Sequence, residues 1–146
     1  MPTAWLIGDS DTAAHLATMH LTAMGYEVVR FVSVFRALTE AMRHPSPTVD
    51  VLITDVCLPG RWDGIEGVPI IREALGRPSL PVVVMSAIFG LGSPASRRAR
   101  SLGVPIVEKG AGVRDRLRHA ILEATEATFS TAQEGKHDVR GFAAAG

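Results

Sequence analysis

Short apolar runs rich in β-branched residues alternate along this chain with segments whose apolar residues recur at helical spacing. The five runs are Thr3–Gly8, Glu27–Val32, Val49–Thr54, Leu80–Met85 and Val104–Val107. The third run is almost wholly apolar, which is typical of a central parallel strand covered on both faces. The alternation predicts an α/β domain with a doubly wound, five-stranded parallel sheet and helices on both of its faces.

Helix boundaries follow from capping residues, and buried faces follow from spacing. Ser33 and Ser93-Pro94 are predicted to begin the second and fourth helices, and Gly25 to end the first. The residues expected on buried faces are Leu16, Met19 and Ala23 in the first helix, and Phe35, Leu38, Ala41 and Met42 in the second. Gly67 and Pro69 predict that the third helix begins late after Asp63-Gly64.

The end of the chain adds an edge strand, a last helix and a tail. Pro105 cannot donate a ladder hydrogen bond, so the fifth strand is expected at a sheet edge. A final helix from about Gly112 is predicted to bury Val113, Leu117, Ala120, Ile121 and Ala124. Residues 1–128 are interpreted as one domain, with residues 129–146 as a flexible tail. The apolar loop after the fourth strand contains Ile88, Phe89 and Leu91.

Composition narrows the partners. The 146 residues carry a formal net charge of zero, with 47% hydrophobic and 21% charged residues, so neither disorder nor nucleic-acid binding is favoured. The single cysteine, Cys57, excludes an internal disulfide. We find no secretory pattern and no apolar run long enough to span a bilayer, so a cytoplasmic protein without membrane association is expected.

Polar residues stand where the predicted strands end. Asp9 and Asp11 follow the first strand, Asp55 follows the third, Ser86 the fourth and Lys109 the fifth. Because the carboxyl ends of parallel strands meet at one edge of the sheet, these side chains are expected to converge. Carboxylates beside a hydroxyl and an ammonium suit a divalent cation together with a phosphate group.

These residues resemble a known family. The segment Asp50–Asp55, followed by Leu58-Pro59-Gly60, Asp63-Gly64, Ser86-Ala87 and Lys109, resembles the phosphoacceptor signature of bacterial response-regulator receiver domains. The resemblance spans roughly residues 3–127. It implies a CheY-like, single-domain protein with the flavodoxin-like strand order 2-1-3-4-5, acting in a two-component system as a switch, not an enzyme.

The resemblance also implies a role for each residue. Asp55 would accept a phosphoryl group from a phosphohistidine on a histidine kinase or histidine phosphotransfer protein. Asp9, Asp55 and the Cys57 backbone carbonyl would hold Mg²⁺, and Ser86 and Lys109 would bind phosphoryl oxygens. Output would pass to a downstream protein, or to a second copy in a homodimer, through the surface of the fourth helix, fifth strand and fifth helix.

Several positions depart from the family pattern. Ser10 replaces the second carboxylate after the first strand and is a further candidate ligand for Mg²⁺, whereas Asp11 is expected to point elsewhere. Ile106 stands where the family has an aromatic switch residue, and Gly110 replaces a proline. Arg61-Trp62 lengthens the loop before Asp63-Gly64 by one residue.

Alternative readings stay open. A pseudo-receiver would keep the fold as a protein-binding module without phosphorylation. The segment Asp9-Ser10-Asp11-Thr12 also resembles the nucleophile motif of haloacid-dehalogenase-type phosphatases, in which Asp9 would be phosphorylated.

A basic stripe on the fourth helix is either an ordinary solvated face or a docking patch for an acidic partner; its members are Arg97, Arg98 and Arg100. The five histidines lack zinc-site spacing. Cys57 is interpreted as a packing residue.

Overall fold

Parallel strands build the centre of the molecule. The computed structural model describes residues 1–87 and 93–126, and within them five parallel strands form one sheet in the order β2-β1-β3-β4-β5. Their bounds are Thr3–Ile7 (β1), Glu27–Phe31 (β2), Val51–Asp55 (β3), Val82–Ser86 (β4) and Ile106–Glu108 (β5). The predicted fold class and strand order are confirmed, and β3 is the central strand.

Helices cover both faces of the sheet. They are Asp11–Ala23 (α1), Val34–Ala41 (α2), Gly67–Ala74 (α3), Pro94–Ser101 (α4) and a helix (α5) described over residues 113–126. One apolar core lies between the sheet and α2, α3 and α4, and includes Trp5, Leu52 and Ile71. The other core lies under α1 and α5, around Leu21 and Leu117. Because β3 contributes to both cores, all five of its residues are buried.

The predicted buried face was wrong for α1 and partly wrong for α2. Helix α1 buries Ala14, Ala17 and Leu21. Leu16 and Met19 are 47% and 55% exposed, and Ala23 is also exposed.

In α2 the buried residues are Val34, Ala37 and Ala41, whereas Phe35 and Met42 are more than 60% exposed. Leu38 packs partly against the core. Each helix places two alanines and one larger apolar residue, Leu21 in α1 and Val34 in α2, on its buried face.

Predicted helix ends agree with the structure. The Ser33 and Ser93 hydroxyls accept hydrogen bonds from the backbone N–H groups of Arg36 and Ser96, as N-caps do. Helix α3 begins late, at Gly67. The fifth strand lies at an edge, and Pro105 uses its carbonyl to accept a hydrogen bond from Val84 N.

The last helix agrees with the prediction, whereas the predictions for the loop after β4 and for the tail fall outside the described residues. In α5, Leu117, Ala120, Ile121 and Ala124 are buried as predicted, and Val113 packs partly against the same core. The loop residues Ile88, Phe89 and Leu91 and the tail at 129–146 are not among the described residues. No helix in the described part of the chain combines the length and apolar character needed to cross a membrane.

Candidate functional site

Asp55 is the last residue of the central strand. Asp55 is 7% exposed and lies in register with Met85 on β4. The following residue continues the pairing, since Val56 N donates to the Met85 carbonyl at 2.9 Å. The strand register therefore fixes the position of the Asp55 carboxylate at the carboxyl edge of the sheet.

Lys109 reaches this carboxylate from the other side of β4. Its backbone N–H donates to the Ser86 carbonyl at 2.8 Å, so the chain leaves β5 in a fixed position. From there Lys109 Nζ lies 3.0 Å from Asp55 Oδ1. The structure thus brings together the predicted carboxylate and ammonium as an ion pair, with Ser86 at the end of the strand between them.

The environment of this pair is largely apolar. Asp55 and Lys109 line a cavity of about 200 Å³ that is otherwise walled mostly by α1 and the start of α5, including Ala13, Ala17 and Val113. Burial raises the pKa of the Asp55 carboxyl above its ordinary value; the Lys109 hydrogen bond and charge lower it in part, and the nearby Asp9 charge raises it. The site therefore favours a cation or a proton near Asp55.

The three polar residues after β1 have different environments. Asp9 is exposed and lies near enough to influence Asp55 electrostatically. The Ser10 hydroxyl accepts a hydrogen bond from Ala13 N at 3.3 Å and caps α1. Asp11 is the first residue of α1, and its carboxylate Oδ1 lies 2.8 Å from Arg30 Nη1. Asp11 is thus paired with β2, in agreement with the expectation that it points away from the site.

Arg30 is a residue of this region that the sequence analysis missed. It lies on β2 opposite Leu6, and its Nε and Nη2 donate to the Gly8 carbonyl at 3.2 and 3.1 Å. The Arg30 charge also lowers the pKa of Asp55. A single basic residue between the apolar residues Val29 and Phe31, near the carboxyl end of β2, was the available signal, because that end of β2 lies beside the end of β1.

Gly64 supports the backbone beneath Asp55. Its N–H donates to the Val56 carbonyl at 2.9 Å. A β-carbon at this position would lie 1.6 Å from the Asp55 carbonyl oxygen, a distance that no side chain can occupy. The Asp63-Gly64 pair of the sequence motif therefore has a steric reason: only glycine lets this loop pass so close to the end of β3.

Asp63 joins the same loop to two helices. Its Oδ1 accepts hydrogen bonds from the backbone N–H groups of Ile65 and Glu66 ahead of α3, and its Oδ2 lies 2.7 Å from Arg98 of α4. Burial acts to raise the Asp63 pKa, but the Glu66 backbone and Arg98 hydrogen bonds outweigh it, so that the pKa is lowered overall. Arg98 of the predicted basic stripe is therefore engaged within the chain.

The other positions that differ from the receiver-domain pattern have different surroundings. Gly110 has a φ of +121°, which a proline cannot adopt, so the chain after Lys109 takes a path open to glycine alone. Ile106 is partly buried against the core. In the longer loop, the Arg61 guanidinium lies 5.6 Å from the centre of the Trp62 ring. Cys57 is exposed and is not a packing residue.

The donor set is compatible with Mg²⁺. In the described residues, no three histidine, cysteine, aspartate or glutamate side chains form a group that could hold a metal. Mg²⁺ is commonly bound by one or two carboxylates and keeps several of its waters. Asp55 and Asp9, which interact electrostatically, supply such carboxylates, whereas the Ser10 hydroxyl is occupied by the helix cap.

Comparison with known proteins identifies the fold. The chemotaxis protein CheY4 of Vibrio cholerae superposes with a TM-score of 0.69 at 21% identity, covering 85% of this chain and 98% of that one. A response regulator receiver protein from Sinorhizobium medicae gives 0.69 at 24% identity, covering 87% and 96%. The response regulator TrrA from Thermotoga maritima, solved in complex with Mg²⁺ and BeF, gives 0.68 at 21% identity, covering 85% and 99%.

Comparison of the sequence alone does not identify a family. No protein-family model matches the chain, and no curated protein matches it. The structural likeness nevertheless extends over nearly the whole length of each receiver domain, and the strand order is the one predicted. This chain has the fold of the CheY-like response-regulator receiver domains.

Proposed function

We propose that this protein is a phosphorylation-dependent switch of a two-component system, with Asp55 as the phosphoacceptor. The observation that carries the proposal is the buried Asp55 carboxylate at the end of the central strand, 3.0 Å from Lys109. In the reaction, a carboxylate oxygen attacks the phosphorus of a phosphohistidine. The P–N bond breaks, and its electron pair returns to the imidazole of a histidine kinase or histidine phosphotransfer protein.

The charges around Asp55 suit this transfer. Lys109 supplies an ammonium that can pair with a phosphoryl oxygen, and Ser86 at the end of β4 supplies a hydroxyl for another. Asp9, Asp55 and the Cys57 carbonyl would hold Mg²⁺, which neutralises phosphoryl oxygens when bound. Asp55 must be ionised to attack, and Lys109 favours that form by lowering the pKa that burial raises.

Signalling would pass through protein contacts in the cytoplasm. Residues 1–128 form the proposed receiver domain, and its α4, β5 and α5 surface is the proposed site for a downstream protein or a second copy. Arg97 and Arg100 are exposed on α4 and would favour an acidic partner. Arg98 contributes less to this surface, because it pairs with Asp63.

Phosphoryl labelling tests the proposal directly. Purified protein is incubated with acetyl phosphate or phosphoramidate and Mg²⁺, and the modified residue is mapped by mass spectrometry. Wild type should be labelled at Asp55, and Asp55→Asn should not be labelled. Asp11→Asn is the matched control, since Asp11 is an exposed carboxylate paired with Arg30, and it should be labelled like wild type.

The same experiment separates the two alternatives. A pseudo-receiver is favoured by one observation, the use of the Ser10 hydroxyl as the α1 cap, which leaves Asp9 as the partner of Asp55 in holding a metal. It would give no label in any variant. A phosphatase of the haloacid-dehalogenase type would keep its label in Asp55→Asn and lose it in Asp9→Asn.

A further inference from the structure

Arg30 makes a two-sided contact that ties β2 to the loop after β1. Nε and Nη2 both donate to the Gly8 carbonyl, at 3.2 and 3.1 Å, and Nη1 pairs with Asp11 at 2.8 Å. The Arg30 side chain is 29% exposed, so most of the side chain is shielded from solvent. This arrangement uses the planar, forked geometry of arginine, which a lysine cannot reproduce.

Gly8 connects Arg30 to the candidate phosphoacceptor. A β-carbon at Gly8 would lie 3.0 Å from Asp55 Oδ2, so the Gly8 backbone passes beside the carboxylate with little room for a side chain. The Gly8 carbonyl that Arg30 binds belongs to the peptide that joins Gly8 to Asp9. Arg30 therefore holds the segment that carries one candidate metal ligand, Asp9, and passes beside the other, Asp55.

We propose that Arg30 is a positioning residue of the Asp55 site, which fixes the Gly8–Asp9 peptide and supplies a second permanent positive charge beside that of Lys109. The inference rests on the proposed function. Near Asp55, the carboxylates of Asp9 and Asp55 are accompanied by the charges of Lys109 and Arg30, and Arg30 also pairs with Asp11, whose side chain is 93% exposed.

The charge of Arg30 has opposite consequences for cations and anions. A fixed positive charge weakens binding of Mg²⁺ and strengthens binding of a phosphate group at the same place. A purely structural arginine would behave differently, because loosening the loop after β1 would weaken both ligands. The sign of the two effects therefore distinguishes a charge that acts on the site from a residue that only holds the fold.

The test compares wild type with Arg30→Gln, Arg30→Lys and Asp11→Asn. Each protein is titrated with MgCl₂ alone and with inorganic phosphate alone, and dissociation constants are taken from backbone amide shifts in NMR spectra. We expect Arg30→Gln to lower the Mg²⁺ constant by about 3- to 10-fold and to raise the phosphate constant by a similar factor. Arg30→Lys, which keeps the charge but not the forked hydrogen bonds, should show neither of these opposite shifts, and any change that remains should weaken both ligands. Asp11→Asn removes the 93% exposed partner of Arg30 Nη1 but leaves both Arg30 hydrogen bonds to the Gly8 carbonyl, so its constants should stay within about twofold of wild type.

Several results would overturn the role of Arg30. These are constants that move in the same direction in Arg30→Gln, constants that change by less than about twofold, and a wild-type protein whose amides respond to neither probe. Labelling of Asp55 is measured separately on the wild type. If Asp55 is labelled but Arg30→Gln has no effect, only this inference fails; if the constants shift oppositely but Asp55 is never labelled, only the phosphoacceptor function fails.

Discussion

Replacing Gly64 by alanine should be among the most damaging small substitutions in the molecule. The new β-carbon would lie 1.6 Å from the Asp55 carbonyl oxygen and 2.7 Å from Thr54 Oγ1, whereas ordinary contacts begin near 3.4 Å. The loop must therefore move away from β3, and its 2.9 Å hydrogen bond from Gly64 N to the Val56 carbonyl must lengthen or break. Overpacking costs about 1–3 kcal/mol and the lost hydrogen bond about 1 kcal/mol, so we expect a total of about 2–4 kcal/mol.

Urea unfolding followed by circular dichroism measures this cost. With a slope of about 1.5 kcal/mol per molar urea, the midpoint should fall by roughly 2 M. Gly60→Ala is the matched control in the same loop: Gly60 has a φ of +95° but nothing within 4 Å, so only the backbone conformation is penalised, by about 1–2 kcal/mol. If Gly64→Ala is no less stable than Gly60→Ala, the steric argument for the Asp63-Gly64 pair is incorrect.

Three further substitutions test the site and the packing. Burial raises the pKa of Asp55, so this carboxyl stabilises the fold below its unfolded pKa near 4, and that contribution is lost as the pH rises through the raised folded value. Asp55→Asn should therefore gain in melting temperature relative to wild type above about pH 4, and a difference that is constant with pH would contradict this. Asp63 has a lowered pKa because its hydrogen bonds outweigh burial, so its contribution to the stability of the fold is lost as the pH falls through the folded pKa. Asp63→Asn should make the loss of stability below about pH 4 less steep. It should cost no more than about 1 kcal/mol at neutral pH, because its partner Arg98 is 45% exposed. Leu21→Ala should cost about 2–5 kcal/mol in urea unfolding, whereas Leu16→Ala, in the same helix but 47% exposed, should cost less than about 1 kcal/mol; equal costs would restore the face first predicted for α1.

Strand order, capping residues and the strand-end chemistry could be predicted from the sequence because each depends on local signals or on chain topology. Ser33 and Ser93 announce helix starts by their own hydrogen-bonding chemistry, and Asp55 and Lys109 follow apolar strands whose ends must meet. The sequence alone could therefore place the ion pair at one edge of the sheet, although it could not give the 3.0 Å separation.

The buried faces of α1 and α2 could not be read in the same way. Apolar residues occur on more than one side of each helix, and the observed face of α2 is rotated by one residue from the predicted one, with Ala37 buried in place of Leu38. The sequence-based prediction placed Leu38 on the buried face of α2 because it is the larger apolar residue, whereas in the structure the smaller Ala37 lies against the sheet. Arg30 was missed because its contacts cross from β2 to the loop after β1, and its place near the end of a strand does not by itself indicate a partner.

Because the Asp55–Lys109 pair is anchored at strand termini by backbone hydrogen bonds, the connections around it can differ in length, provided that a glycine stays at position 64. The longer Arg61-Trp62 segment and the left-handed Gly110 sit in such connections, and the pair forms despite both. Protein engineering could therefore change residues 58–62 after β3, or the residues that follow Lys109, to alter which partners approach, while Asp55, Cys57, Gly64 and Lys109 are kept.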